Sequence, residues 1–201
     1  MKKNISKEQI IETALDLIKT NQDIRSINLR EIARALGCAH TNIYNYYPSL
    51  VDLLWDLHVA IQESFIVDLS SRLEKVQESE LKLYCFFESV INVYLIHTGW
   101  FRLVWVDYIG TDRPESNKIA TQKNVDELVE ILIDICFHLY QTKPDKEKIM
   151  RIFHNVHCYI VGELSNFING RQFYQDEISL RKYVPETATT IFKLCLKDEI
   201  Q

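Results

Sequence analysis

At 201 residues, with 47% hydrophobic residues and a net charge of −5, the chain is long enough to bury a sizeable core and too apolar to be disordered. Five glycines and four prolines exclude fibrous and low-complexity classes, and no internal repeat is visible. No apolar run reaches the ~18 residues of a membrane span, and the Lys2-Lys3 start lacks the apolar core of a signal peptide, so a cytoplasmic protein with five reduced cysteines is expected.

Several uninterrupted amphipathic stretches predict an all-α fold of about nine helices. In KEQIIETALDLIK, Ile10, Ile11, Ala14, Leu15, Leu17 and Ile18 form the apolar stripe of a first helix. Asn28, with Glu31 three residues later, has the pattern of a capping box and predicts the start of a second. Leu29, Ile32, Ala33 and Leu36 then fall at helical spacing, leaving Arg30, Glu31 and Arg34 for solvent or a polyanion. Gly37 stands where the chain must turn sharply, because glycine enters a left-handed conformation without steric cost. Cys38 and Ala39 are small enough to pack inside that turn.

His40 or Thr41 opens a third helix of about two turns, closed by Pro48. Ile43 and Tyr47, four apart, anchor it to the core, which turns His40, Thr41, Asn42, Tyr44, Asn45 and Tyr46 wholly or partly outward. Asn side chains pair with adenine edges, Thr contacts a thymine methyl, and Tyr hydroxyls suit phosphates, so the row fits a DNA groove. A surface helical hairpin with polar solvent faces would share the generic pattern.

From Ser49, one long helix is expected with Leu53, Leu54, Leu57, Ile61 and Phe65 on one side. A polar break at Glu78 to Glu80 precedes a helix from Leu81 to His97; Gly99 punctuates, WFRLVWVDYI follows, and GTDRPESN reads as a loop. Helix resumes near Lys118 and runs to Tyr140 with Val125, Leu128, Val129, Leu132, Ile135 and Cys136 buried. Lys143-Pro144-Asp145 breaks it. Asp145 caps the next helix, whose apolar positions run from Ile149 to Ile168, ahead of Gly170. A final helix is expected from near Pro185.

The spelling of residues 28–50 is more specific than helix, glycine and helix. REIARALG, a small pair, TNIYNYY and Pro-Ser together resemble the N-terminal DNA-binding domain of the TetR family of transcriptional regulators, and the first helix fits as well. The motif resemblance spans about Lys7 to Leu54; the rest is similar to the family in length and helical character. It implies a three-helix head with a helix-turn-helix at residues 1–48, and a larger helical domain at 49–201 that holds an effector and forms a homodimer. Such a protein binds a double-stranded DNA operator, needs no cofactor and is not an enzyme.

By position, the resemblance places Arg30 at a base or phosphate contact. It puts His40, Thr41, Asn42, Asn45 and Tyr46 on the recognition helix, and Tyr44 at a phosphate contact. Leu50 departs from the pattern, since many members have a phosphate-binding lysine there. Residues 1–48 carry seven Lys/Arg against five Asp/Glu, or +2, which leaves −7 for the remainder. So mild a basic head points to two heads acting together, on half-sites one DNA turn apart.

For the dimer seam, the resemblance implies the last two helices, with Val156, Ile160, Leu164, Phe167, Ile191 and Phe192 as candidates and Gly162 and Ser165 permitting close approach. These residues could equally complete the core of one chain. Aromatics concentrate between Phe86 and Tyr140. If the central helices splay, Tyr94, Trp100, Trp105, Tyr108 and Phe137 line an effector cavity, with His97, Arg102 or Asp107 as polar contacts. A small apolar or aromatic effector suits that composition; ordinary core packing suits it as well. The alternatives are an interaction module that binds a protein partner, a metal site at His154, His157, Glu163 and His138, or a redox sensor at Cys136 or Cys158.

Overall fold

The computed structural model describes residues 5–20, 24, 27–110 and 112–197. Lys2, Lys3 and the Thr111 of GTDRPESN lie outside the described residues. Among the described residues there is no strand, and no helix is long and apolar enough to cross a membrane. The helices are α1 (Lys7–Thr20), α2 (Leu29–Leu36), α3 (His40–Tyr44), α4 (Leu50–Leu73), α5 (Ser79–Ile96), α6 (Thr98–Phe101), α7 (Glu115–Tyr140), α8 (Lys146–Ile168) and α9 (Glu177–Lys197). A π-helical turn, Arg102–Val106, follows α6.

Packing divides the chain into two compact units, one of residues 1–64 and 97–122, the other of 65–96 and 123–201, so the boundaries fall inside α4 and α7. By packing, then, the first unit holds more than the head at residues 1–48.

In the first unit, helix starts are fixed by local hydrogen bonds. Ser6 Oγ accepts from the Gln9 amide at 3.2 Å and Gln9 Oε1 accepts from the Ser6 amide at 3.1 Å, a capping box at α1. Ile10, Ala14 and Ile18 are fully buried; Ile11, Leu15 and Leu17 are half-buried on the flanks of that stripe. On α4 the expected stripe is buried throughout, and Ser49 caps the helix reciprocally with Asp52, its hydroxyl donating to Oδ2 at 2.7 Å. Gly99 does not interrupt helix. It is buried inside α6, and the break falls at His97, whose backbone leaves helical geometry at φ −125° and ψ 66°. The Trp100 indole reaches back to donate to the Leu15 carbonyl at 3.1 Å, docking α6 on α1.

The second unit is built around an aromatic core. Phe86 stands edge-on to Phe87 at 5.3 Å and to Phe153 at 5.8 Å, and Phe87 meets Phe192 at 5.6 Å, which joins α5, α8 and α9. α7 begins at Glu115, three residues ahead of expectation, and of its expected face Val125 and Leu128 are only half-buried. Asp145 caps α8, accepting from the Lys148 amide at 2.9 Å. α9 begins eight residues before Pro185, with Asp176 accepting from the Ser179 amide at 2.7 Å. Pro185 is therefore buried within the helix, where the carbonyl one turn back loses its donor; burial of Leu180 and Val184 outweighs that lost bond.

Candidate nucleic-acid interface

The site begins with the cap of α2. Asn28 Oδ1 accepts from the Arg30 amide at 3.1 Å and the Glu31 amide at 3.0 Å, while the Asn28 side-chain amide donates to Glu31 Oε2 at 3.4 Å. The helix ends at Gly37, φ 66° and ψ 37°, with the Gly37 amide donating to Arg34 O at 3.1 Å and the Cys38 amide to Ala33 O at 3.0 Å. That pair of bonds is the Schellman termination, which requires the left-handed residue at this point. Cys38 is half-buried in the turn, but Ala39 is exposed, so the small pair does not pack inside it as a unit.

α3 then runs from His40 to Tyr44, five residues, shorter than the two turns expected, and no side chain caps its start. Its orientation is set from beneath. Ile43 is fully buried and Tyr47 is 2% exposed. The Tyr47 hydroxyl donates to Asp56 Oδ2 at 2.9 Å, and Lys7 Nζ meets the same oxygen at 2.7 Å, so one carboxylate of α4 ties down α1 and the end of α3. Burial, then the bond to Asp56, pushes the Tyr47 phenol above its ordinary pKa, which keeps it a neutral donor.

With that anchor in place, His40, Thr41, Tyr44, Asn45 and Tyr46 are exposed and Asn42 is half-exposed. His40 and Tyr44 stand edge-on one turn apart, centroids 6.1 Å. Arg30 is exposed and makes no ion pair among the described residues, whereas Arg34 lies 3.5 Å from Glu31. Tyr46 differs from the rest of the row. Its ring is 41% exposed but its hydroxyl donates to the Ile5 carbonyl at 2.6 Å.

No family sequence model and no curated protein matches the chain. Solved structures do match along nearly its whole length. A transcriptional regulator FadR from Bacillus subtilis in complex with stearoyl-CoA is 15% identical at TM-score 0.64, with 94% of this chain and 97% of that one covered. A TetR variant from Acinetobacter baumannii AYE in complex with minocycline is 16% identical at TM-score 0.64, with 96% and 98% covered. A TetR transcriptional regulator from a Rhodococcus species is 14% identical at TM-score 0.63, with 94% of each chain covered. The chain has the fold of TetR-family transcriptional regulators.

Within this TetR fold, the other sequence candidates fall in different places. Of the aromatic set, Tyr94 is buried in the second unit and Phe137, 44% exposed, stands edge-on to His138. In the first unit Trp100 is packed, with His97 at 4.3 Å and Lys19 over its ring at 5.5 Å, while Trp105 and Tyr108 are 41% and 84% exposed. Arg102 pairs with Asp107 at 3.2 Å across the π-helical turn. Of these candidates, His97 and Trp100 are in direct ring contact.

Of the candidates for subunit pairing, Val156, Ile160, Leu164 and Phe192 are buried within the single chain, because α5 covers the α8–α9 pair; Phe167 and Ile191 are half-buried. Among the described residues no three His, Cys, Asp or Glu side chains cluster as a metal site. The first unit also brings together a polar group that no motif announces, with His58 and Asn117 buried and Gln62 and Arg113 half-buried. Its sequence signal was Arg113, the single basic residue of GTDRPESN.

Proposed function

We propose that the chain is a sequence-specific DNA-binding transcriptional regulator, not an enzyme, that acts in the cytoplasm. It works as a homodimer and is most simply a repressor released from a palindromic operator by a small ligand. The observation that supports this reading most directly is the polar row on α3. His40, Thr41, Asn42, Tyr44 and Asn45 project from a short helix whose other face is pinned by Ile43, Tyr47 and Asp56. Rigid presentation lets Asn and Thr read base edges while Arg30, Tyr44 and the ring of Tyr46 lie along the phosphates.

Residues 1–48 serve as the reading head and 49–201 as the ligand-holding and pairing body. Twofold pairing uses the outer faces of α8 and α9, where Gly162 has open space around its Cβ position and Leu194 is 57% exposed. Two of the similar structures hold a small molecule, stearoyl-CoA in one and minocycline in the other, which supports a ligand-responsive body. In the first unit Trp105 and Tyr108 offer aromatic surface to an apolar ligand. Ligand binding favours the body conformation in which the heads no longer match successive major grooves.

The test is selection of bound duplexes from random DNA at two salt concentrations. A recurring inverted repeat with a steep loss of affinity at the higher salt is expected. A protein-partner module would enrich no sequence and show little salt-sensitive affinity, and that result would overturn the reading.

A further inference from the structure

In the partly buried polar group of the first unit, one nitrogen of Arg113 lacks an acceptor. On α4, His58 is 7% exposed and its Nδ1 takes a hydrogen bond from the Gln62 side-chain amide at 3.2 Å, which leaves the ring proton on Nε2. Burial, then the charge of Arg113, lowers the His58 pKa from 6.5 to about 4, so the ring is neutral near pH 7. Arg113 Nε donates to Asn117 Oδ1 at 2.6 Å, and Asn117, 4% exposed, donates in turn to the Trp55 carbonyl at 2.7 Å. That chain holds the guanidinium against α4 by neutral groups alone. No carboxylate pairs with Arg113 among the described residues, and its Nη2 is buried with no hydrogen-bond partner. Thr121 Oγ1, one turn beyond Asn117 on the same face of α7, is likewise buried and unpartnered.

Leaving a guanidinium N–H buried without an acceptor is costly, and the cost is recovered by an acceptor that also brings negative charge. A carboxylate supplies both, since its two oxygens match the arginine fork and still accept from a hydroxyl or an imidazole N–H. A cation would be repelled by Arg113, and a neutral amide would leave the charge uncompensated. We propose that Arg113 and Thr121, with His58 and Asn117 around them, form a binding site for the carboxylate of a small organic acid. Trp55, whose ring stands 5.8 Å from that of His58, gives the site an aromatic side, so the acid carries an apolar body. The proposal deepens the ligand-responsive reading, and its test uses the protein without DNA, so failure of operator recognition and failure of this site are separate results.

The experiment titrates alkanoates from butanoate to hexadecanoate, and phenylalkanoates of the same range, into the full-length protein, with the matching primary amides as controls. Thermal shift and calorimetry are the readouts. At least one acid is expected to bind about tenfold or more tightly than its amide, with Arg113→Gln abolishing that preference while amide affinity stays unchanged. Thr121→Val should raise the Tm of the ligand-free protein, because it removes an orphaned hydroxyl, yet weaken acid binding. A role confined to folding cannot give those opposite signs. Should no acid in the panel bind, should acids and amides bind alike, or should folded Arg113→Gln keep wild-type affinity for the acids, the proposal is wrong.

Discussion

The Tyr46 hydroxyl donates to the Ile5 carbonyl at 2.6 Å, joining the end of α3 to the segment that leads into α1, forty-one residues earlier in the chain. A tyrosine expected to face outward from the recognition helix therefore has its polar end spent inside the head, with its ring still 41% exposed. Tyr46→Phe keeps the ring and removes the bond. Head stability should fall by about 0.5–1.5 kcal/mol, with little change in DNA affinity at saturating folded protein. Urea unfolding beside a binding titration checks both halves.

Asn45 is exposed at the end of α3 and Asn42 is half-exposed one turn earlier. Asn45→Ala should relax preference at one base position and cost about 1–3 kcal/mol on the best site. Repeating the duplex selection with each alanine variant gives the comparison; unchanged preferences in both would remove these residues from base readout.

Leu50 opens α4 directly after the Ser49 cap and is half-buried, so it neutralises no phosphate. Leu50→Lys should add about one ionic contact per head and steepen the slope of log affinity against log salt by about 2 for a dimer. Base preference should hold, since phosphate contacts position the protein without reading sequence. A salt series on both proteins measures the slope, and equal slopes would place Leu50 away from the DNA backbone.

His58 and His157 both have pKa values lowered from 6.5 to about 4, first by burial and then by Arg113 and His154 respectively. The unfolded chain takes up these protons as pH falls through 6.5, whereas the folded chain does not until about 4. Their contribution to stability is thus complete above pH 6.5 and is lost between 6.5 and 4. His58→Gln should flatten the decline by at most about 1.4 kcal/mol per pH unit. Chemical unfolding at several pH values for wild type and variant separates the histidine contribution from that of the carboxylates.

Leu194 is 57% exposed on α9, so an aspartate there should change the stability of one subunit by no more than about 0.5 kcal/mol. In a pair formed through α8 and α9 the same aspartate buries an unpaired charge. Sedimentation should show a wild-type dimer and a folded Leu194→Asp monomer. A wild-type protein that sediments as a monomer at micromolar concentration and without DNA would contradict the pairing.

The head was legible because its signals are local. Asn28 caps α2, Gly37 ends it, Asp145 caps α8, and each acts on backbone groups within about five residues. The apolar stripe of α4 was legible for the same reason, since periodicity alone selects the face to be buried. Partners distant in sequence settled the rest. α9 is capped locally by Asp176, but it runs on through the apparent stop at Pro185 because Leu180 and Val184 are buried. Val156, Ile160, Leu164 and Phe192 read as an apolar surface that could face either a second copy or the chain's own interior. Packing of α5 against α8 and α9 took them into the interior, since hydrophobic burial is non-directional and a sequence pattern does not say which surface will cover it. Asn117 meets the Trp55 carbonyl across sixty-two positions of sequence, and the unpaired Arg113 beside it became a feature only once α4 and the start of α7 were folded together.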